Sequence, residues 1–229
     1  MTEPPARISA IVPVFNEQGT VSTVVDTLLQ CRLIDEVVCV NDGSTDRSLE
    51  ILRRFGDRIV LVDLQPNRGK GGALAEGILR ASGDIVAFFD ADLTNLSSEH
   101  IGALLEPIRR GQARAVLGIP GADFTFSVAR VVASGAADSI GAKFSGERAY
   151  FRRDLVPHAT RMGSTRFGVE VYLNGLFTPS DTVVVTLAGL VALGKQEKHG
   201  WSVAAKEYSA EVIEVAREMA RTGLTRLAR

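Results

Sequence analysis

The sequence predicts an α/β protein built on a doubly wound, mainly parallel β-sheet. Apolar runs rich in β-branched residues alternate with segments whose apolar residues recur at helical spacing, and the connecting loops are short. The 229 residues are 45% hydrophobic and 23% charged, which is the composition of a globular protein that buries a substantial core. Because each strand–helix–strand crossover is right-handed and packs on the sheet, we expect helices on both faces.

The predicted strands are apolar, β-rich runs that end at turn-forming residues. The first run, Ile8–Phe15, is closed by Asn16–Gly19, and the second, Glu36–Val40, is closed by Asn41–Asp46. The predicted strands span 8–15, 36–40, 58–64, 84–89, 114–119, 147–151 and 183–190.

Between these strands, apolar residues recur every three or four positions, as they do on the buried face of a helix. The first such segment repeats Val21, Val24, Val25 and Leu28. The predicted helices span 20–29, 47–55, 71–81, 98–108 and 168–177, followed by an amphipathic helix at 210–227 with arginines on its polar side. Residues 124–140 have weak helical periodicity that defines no architecture.

The chain contains no internal repeat, low-complexity tract or linker, so we expect residues 1–229 to form a single domain with two halves, 8–120 and 121–229. A formal net charge of −1 argues against nucleic acid as a partner. Cys31 and Cys39 match no metal or redox spacing, which indicates buried free thiols in a reducing compartment.

The amino terminus lacks the basic and apolar regions of a signal peptide. The longest apolar run, 182–193, is too short to cross a bilayer, which takes about 20 helical residues. These features predict a cytoplasmic protein.

Two carboxylates, Asp90 and Asp92, follow the fourth predicted strand and are separated by one residue. Side chains alternate along an extended chain, so both point the same way unless the backbone turns between them. Open α/β sheets bind ligands at the carboxyl ends of their strands, and paired carboxylates there suit Mg²⁺ or Mn²⁺ carrying a diphosphate. The alternative for an isolated pair is a strand end followed by a helix cap.

Polar loops follow the first three predicted strands, at 13–17, 41–46 and 67–72. The loops after the first, second and fourth strands of a doubly wound sheet emerge at one edge, so acidic side chains and the glycine-flanked Lys70 are expected to meet there. Taken alone, 41–46 is a turn with a helix cap, and 69–72 is a flexible loop with a solvated lysine.

Two other phosphate-binding motifs are excluded. A dinucleotide fingerprint requires a glycine where Leu74 stands, and it would have to follow the first strand rather than the third. A P-loop requires Ser or Thr after the lysine, where this chain has Gly71.

Four motifs in order carry a family resemblance. They are Ile11–Glu17 (IVPVFNE), Val40–Asp46 (VNDGSTD), Asn67–Gly71 (NRGKG) and Phe89–Leu93 (FDADL). Together they resemble the family 2 glycosyltransferases, and most closely the branch of dolichol-phosphate mannose synthases and polyprenyl-phosphate sugar transferases. The resemblance is close across 8–120. Beyond it, the matching segments are 145–153, which resembles an acceptor-loop strand, with 168–170 and 195–198.

The resemblance implies a GT-A fold with a nucleotide-sugar-binding half (8–120) and an acceptor-binding half (121–229). It implies transfer of a sugar, with inversion, from a UDP- or GDP-sugar in the presence of Mg²⁺ or Mn²⁺. Asp92 would be the main protein ligand of the metal and Asp90 a further one, and the ion would stabilise charge on the leaving diphosphate. The residues implied to surround the nucleotide sugar are Pro13, Phe15, Glu17, Asp42, Lys70, Asp90 and Ala91.

Candidate acceptor residues lie in the second half. Glu170, on a predicted helix, is either the general base for a hydroxyl acceptor or an exposed helix acid. Either Arg152 or Arg153 is expected to hold an acceptor phosphate, because adjacent residues on a strand face opposite ways.

Three later residues also have two interpretations. Lys195 and Lys198 either meet the diphosphate or form a solvated charge run. His199 is either a further metal ligand, as late histidines are in some GT-A enzymes, or a residue without that role.

The predicted acceptor is a polyprenyl or other phosphate, with helix 210–227 at the membrane surface on the cytoplasmic side. The alternatives are a small soluble acceptor that reacts through a hydroxyl group, and a non-catalytic nucleotide-sugar-binding module. A nucleotidyltransferase is disfavoured, because 13–17 is not the glycine- and arginine-rich loop that such an enzyme has after its first strand. The sequence leaves the sugar, the nucleobase and the oligomeric state open.

Overall fold

A computed structural model describes residues 6–120 and 145–192. Residues 1–5, 121–144 and 193–229 lie outside this description, as does the side chain of Phe167. Two segments with sequence-based expectations, 124–140 and the amphipathic helix at 210–227, lie outside it. Three candidate site residues also do, namely Lys195, Lys198 and His199.

The described residues form one seven-stranded sheet. Its strands are β1 (Ile8–Val14), β2 (Glu36–Asp42), β3 (Val60–Leu64), β4 (Ile85–Phe88), β5 (Ala115–Pro120), β6 (Arg148–Phe151) and β7 (Thr182–Leu187). The order is β3-β2-β1-β4-β6-β5-β7. Every pairing is parallel except those of β6, which is antiparallel to both β4 and β5. The predicted mainly parallel sheet is therefore confirmed, with one reversed strand.

Helices cover both faces of this sheet. They are α1 (Val21–Gln30), α2 (Ser48–Arg53), α3 (Gly69–Arg80), α4 (Ser98–Arg109), α5 (Arg152–Leu155), α6 (Ala159–Gly163) and α7 (Val169–Asn174). The five helices predicted within the described residues are present, although α2 and α7 are shorter than expected, and the short helices α5 and α6 were not predicted. Within the described ranges, no helix combines the length and the apolar character that a membrane crossing requires.

Alternate side chains of β2 enter two different apolar layers. Val37 and Cys39 pack with buried residues of α1, α2 and α4. Val38 and Val40 pack on the other face with α3 and the chain from α5 to α7. Both cysteines are buried and free, as predicted, and burial raises the pKa of the Cys39 thiol to about 12.

Helix α3 begins two residues earlier than predicted, so Lys70 lies in its first turn rather than in a loop. Close packing explains the glycines around this lysine. A Cβ on Gly69, where φ is +77°, would lie 2.9 Å from Arg166 Cβ, and one on Gly71 would lie 2.5 Å from Thr165 Oγ1. The glycine-rich segment therefore lets the helix approach the chain that follows α6.

The reversed strand β6 decides which residues reach which edge of the sheet. Its first residue, Arg148, pairs with Phe88 at the end of β4, and its last residue, Phe151, pairs with Ile85 at the start of β4. The turn before β6 therefore lies at the carboxyl edge of the parallel strands. The residues after β6 lie at the opposite edge.

Gly77→Ala should lower the free energy of unfolding by roughly 1–3 kcal/mol, the usual penalty for overpacking a filled core. Its Cβ would lie 2.5 Å from Ile11 Cγ2 and 3.3 Å from Val40 Cγ2. Gly102→Ala in α4 is the matched control, because its Cβ would meet only Leu33 Cδ1, at 3.8 Å. The control should gain about 0.5–1 kcal/mol from helix propensity. Urea unfolding measures both, and equal stability of the two variants would contradict this packing.

Candidate active site

The loops after β1 and β2 are joined by hydrogen bonds from side chains to backbone. Asn16, with φ at +58°, accepts a hydrogen bond from the backbone N–H of Thr45 through its Oδ1, at 2.7 Å. The hydroxyls of Ser44 and Ser48 accept from the N–H groups of Asn16 and Glu17, at 3.1 and 2.8 Å. Residues 41–46 are thus more than a turn with a cap, because they form one wall with the loop after β1.

Three of the residues implied to bind the nucleoside lie at this wall. Phe15 follows the last residue of β1 with 43% of its surface exposed, which leaves the side chain accessible to a ligand. Pro13 and Glu17, before and after it, are half-buried. Their proximity in the loop is as predicted, and their contact with a nucleoside stays a prediction.

Asp42, the last residue of β2, connects the wall to the start of α3. It is 3% exposed, and its Oδ1 accepts a hydrogen bond from the Arg68 N–H at 2.7 Å. The Asn67 amide donates to its carbonyl oxygen at 2.8 Å. Burial raises the pKa of Asp42, against the opposing effect of hydrogen bonds from the Arg68 and Gly69 N–H groups.

Lys70 lies between two carboxylates from distant parts of the chain. Its Nζ is 2.7 Å from Asp90 Oδ1 and 2.9 Å from Glu170 Oε1. Burial opposes the charge on this ammonium, but the ion pairs with Asp90 and Glu170 outweigh it and raise the pKa of Lys70. The lysine predicted to approach the nucleotide and the candidate general base thus meet, and Glu170 is not an exposed helix acid.

Lys70, Asp90 and Glu170 form a charged cluster, and Glu147, in the turn before β6, is its fourth member. The sequence did not single out Glu147. It is 5% exposed and accepts a hydrogen bond from the Ser145 hydroxyl at 3.0 Å. Burial and the charge of Asp90 raise the pKa of Glu147 to about 7, against the opposing charge of Lys70. The preceding Gly146 packs on the Asp90 carboxylate, where a Cβ would overlap it.

A sequence signal for Glu147 existed. Glu147 opens the predicted strand 147–151, and glutamate is uncommon in strands. Its approach to Asp90 follows only from the direction of β6.

The chain just after Asp92 is hydrogen-bonded to residues 189–192, which follow β7. Leu93 forms an antiparallel bridge with Ala192, and the Asn95 side chain bonds the Gly189 carbonyl and the Val191 N–H, at 2.6 and 2.8 Å. The loop that carries Asp90 and Asp92 is therefore held on the carboxyl-terminal side of β7.

Asp90 and Asp92 offer the hard oxygen donors that Mg²⁺ and Mn²⁺ prefer, with Ala91 buried between them. Within residues 6–120 and 145–192, no group of three or more His, Cys, Asp or Glu is placed to hold a metal. This donor set fits an ion that takes its remaining ligands from a diphosphate and water, as Mg²⁺ commonly does.

Arg152 and Arg153 lie away from this cluster, at the opposite edge of the sheet. The Arg152 Nε donates to the Ile78 carbonyl at 2.9 Å, near the end of α3, and the Arg153 guanidinium lies 4.8 Å from the centre of the Phe151 ring. This placement is at odds with the predicted acceptor-phosphate role. The reason is the antiparallel direction of β6, since a parallel strand would have ended at the site.

The fold defines a class, because the seven-stranded, mainly parallel sheet matches the GT-A architecture of solved glycosyltransferase structures. The family model described as Glycosyl transferase family 2 matches residues 9–170. The chain belongs to that family.

The curated relatives include an uncharacterised glycosyltransferase, YaiP, of Escherichia coli (strain K12). It is 43% identical over 118 residues, which are 49% of this chain and 29% of the relative. The undecaprenyl-phosphate 4-deoxy-4-formamido-L-arabinose transferase of Edwardsiella ictaluri (strain 93-146) is 40% identical over 112 residues, 45% of this chain and 34% of that protein. The match thus spans about a third of the length of these relatives.

A similar solved structure is the glucosyl-3-phosphoglycerate synthase of Mycobacterium tuberculosis in complex with Mn²⁺ and UDP-glucose. It has a TM-score of 0.70 and 25% sequence identity, and the match covers 95% of this chain and 79% of that one. A second structure of the same synthase, with Mg²⁺ and UDP, has a TM-score of 0.69 and 22% identity over 95% of this chain and 80% of that one. The predicted GT-A fold is confirmed.

The pH dependence of stability should reveal Glu147. The ordinary pKa of this group is 4.5, and burial raises it to about 7 in the folded protein. Between these values the unfolded state binds fewer protons than the folded state, so the free energy of unfolding should fall as pH rises from about 4.5 to 7. In metal-free buffer, Glu147→Gln should flatten this decline in urea unfolding. Glu106→Gln, at an exposed site on α4, is the control, and a slope unchanged by Glu147→Gln would contradict the buried carboxyl.

Proposed function

We propose that the protein transfers a sugar from a UDP-sugar to an acceptor, with inversion and with Mg²⁺ or Mn²⁺ as cofactor. The observation that carries the proposal is the convergence of Lys70, Asp90 and Glu170 at the edge where β1, β2 and β4 end. Ligands of open α/β sheets bind at this edge. An ammonium and several carboxylates there suit a substrate that has both a diphosphate and sugar hydroxyls.

Two observations support a nucleotide sugar as the donor. The joined loops after β1 and β2 present Phe15 and a half-buried Glu17 on a rigid wall, as a nucleoside site requires. The structurally similar M. tuberculosis synthase has UDP-glucose and Mn²⁺ bound. UDP is therefore the nucleotide that we propose.

The proposed metal ligands are Asp92 and Asp90, with His199 as a further one. A bound divalent ion supplies Lewis-acid stabilisation to the leaving diphosphate. The ion pairs of Lys70 with Asp90 and Glu170 set the positions of both carboxylates before substrate binds. Fixed charges of this kind need no rearrangement during the reaction.

Asp92→Asn should abolish the Mn²⁺-dependent part of UDP binding in calorimetry, because it removes the charged oxygen donor of the proposed metal site. The melting temperature should stay within about 2–4 °C of the wild type, the shift that 1 kcal/mol produces in a protein of this size. Asp57→Asn, outside the site, is the control. Retained Mn²⁺-dependent affinity in Asp92→Asn would remove this residue from the metal site.

For the acceptor we propose a polyprenyl phosphate, which the name of the E. ictaluri relative supports. A phosphate acceptor is already an anion, so the displacement requires no general base. Peripheral contact of the segment 210–227 with the cytoplasmic face of the membrane is part of this proposal.

A soluble hydroxyl acceptor is the second candidate, and the position of Glu170 favours it. The carboxylate of Glu170 is 12% exposed and lies in the cluster, where it is available as a general base. The name of the M. tuberculosis synthase indicates an acceptor of this class for that protein.

Labelled UDP-glucose, offered with undecaprenyl phosphate or with 3-phosphoglycerate, separates the two acceptors. We expect label in the organic phase, with the acceptor KM unchanged in Arg152→Ala because that guanidinium binds the end of α3. Aqueous product only, with turnover reduced by about 10²–10⁴-fold in Glu170→Gln, would establish the hydroxyl acceptor instead. Binding of UDP-glucose without transfer to either would indicate a non-catalytic module.

A further inference from the structure

Arg148 is a buried cation outside the charged cluster. It is 1% exposed, and its Nε donates to the Ser145 carbonyl at 2.7 Å. Its Nη1 donates to the Tyr150 hydroxyl at 3.2 Å and to Asn174 Oδ1 at 2.7 Å. One guanidinium therefore joins the turn that carries Glu147, strand β6 and the end of α7.

The contact with Asn174 bears directly on Glu170. These two residues are four positions apart in α7 and therefore lie on the same face of the helix. A helix of six residues has almost no stability by itself, so its position depends on tertiary contacts. Val169 and Leu173 supply the apolar contacts on the core side. The bond between Asn174 and Arg148 is directional, and it limits rotation and sliding of the helix.

We infer that Arg148 is a positioning residue that, through Asn174, holds Glu170 against Lys70. The inference deepens the proposed function and, where turnover is concerned, rests on its second candidate, the hydroxyl acceptor for which Glu170 would be the base. The geometric part stands by itself, since the 2.7 Å bond to Asn174 and the 2.9 Å ion pair of Glu170 lie on one short helix. Through the Ser145 carbonyl, the same guanidinium also fixes the turn that packs Gly146 on Asp90.

The shape of the side chain explains why arginine is required. A guanidinium donates in several fixed directions at once, whereas a lysine ammonium is a point charge on a flexible stem. Lysine at position 148 would keep the charge and lose at least one of the bonds to Ser145, Tyr150 and Asn174. Glu170 would then lose its fixed position without any change to Glu170 itself.

The test measures the acylation rate of Lys70 by mass spectrometry, which is independent of activity, together with kcat, KM and melting temperature. The variants are Asn174→Ala, Arg148→Lys, Glu170→Gln and the double variant Asn174→Ala/Glu170→Gln. Arg114→Lys is the matched control, because this arginine bonds Asp154 away from the cluster. Asn174→Asp, which keeps an acceptor oxygen for Arg148, tests rescue.

We expect Asn174→Ala and Arg148→Lys to accelerate Lys70 acylation to the rate of Glu170→Gln, with no further increase in the double variant. With a hydroxyl acceptor, for which Glu170 would be the base, we expect kcat to fall by about tenfold or more with the KM for UDP-glucose unchanged, since small displacements of a positioned group are costly. With a polyprenyl phosphate acceptor, which requires no base, the acylation rates alone test the inference. Asn174→Asp and Arg114→Lys should behave as the wild type.

Wild-type acylation rates in folded Asn174→Ala and Arg148→Lys would overturn the inference, as would additive effects in the double variant. Unfolding of both variants would assign Arg148 to stability alone and would overturn it too. An inactive wild type whose variants show the expected acylation would refute the proposed function and leave the positioning role supported.

Discussion

The ion pairs of Lys70 with Asp90 and Glu170 are the interaction on which the site depends. They join the first turn of α3 to the loop after β4 and to the helix α7. Asp90 lies 20 residues and Glu170 lies 100 residues from the lysine in sequence. All three side chains are largely buried, so each charge requires the others to offset the cost of leaving water. The cluster is therefore both a constraint on the fold and the centre of the candidate active site.

Close backbone approach makes this cluster possible. Gly69 and Gly71 allow α3 to pack against the chain after α6, and Gly146 allows the turn before β6 to contact the Asp90 carboxylate. Larger side chains at these positions would separate the elements that carry Lys70, Glu147 and Glu170. The glycines thus act by letting neighbouring backbone segments approach closely rather than by making the chain flexible.

Two sides of the candidate site are held in different ways. At the loops after β1 and β2, the side chains of Asn16, Ser44 and Ser48 accept hydrogen bonds from backbone N–H groups and join the two loops into one wall. Around Glu170, the short helix α7 is held by apolar packing, by the bond between Arg148 and Asn174 and by the bond between His158 and Tyr172.

The sequence by itself determined the fold class, the seven strands and five of the seven described helices to within a few residues, and the loops at which candidate site residues gather; the short helices α5 and α6 were not predicted. These features depend on local periodicity and on loops that directly follow strands, and both can be recognised in the sequence without knowledge of tertiary contacts. Only the tertiary structure decided the direction of β6, because alternation with period two is identical in a parallel and an antiparallel strand. That direction brought Glu147 to the cluster, placed Arg148 beside the turn that carries it, and took Arg152 and Arg153 to the opposite edge. The tertiary structure also decided that Glu170 is an ion-paired residue rather than an exposed acid, because its partner Lys70 lies 100 residues away along the chain.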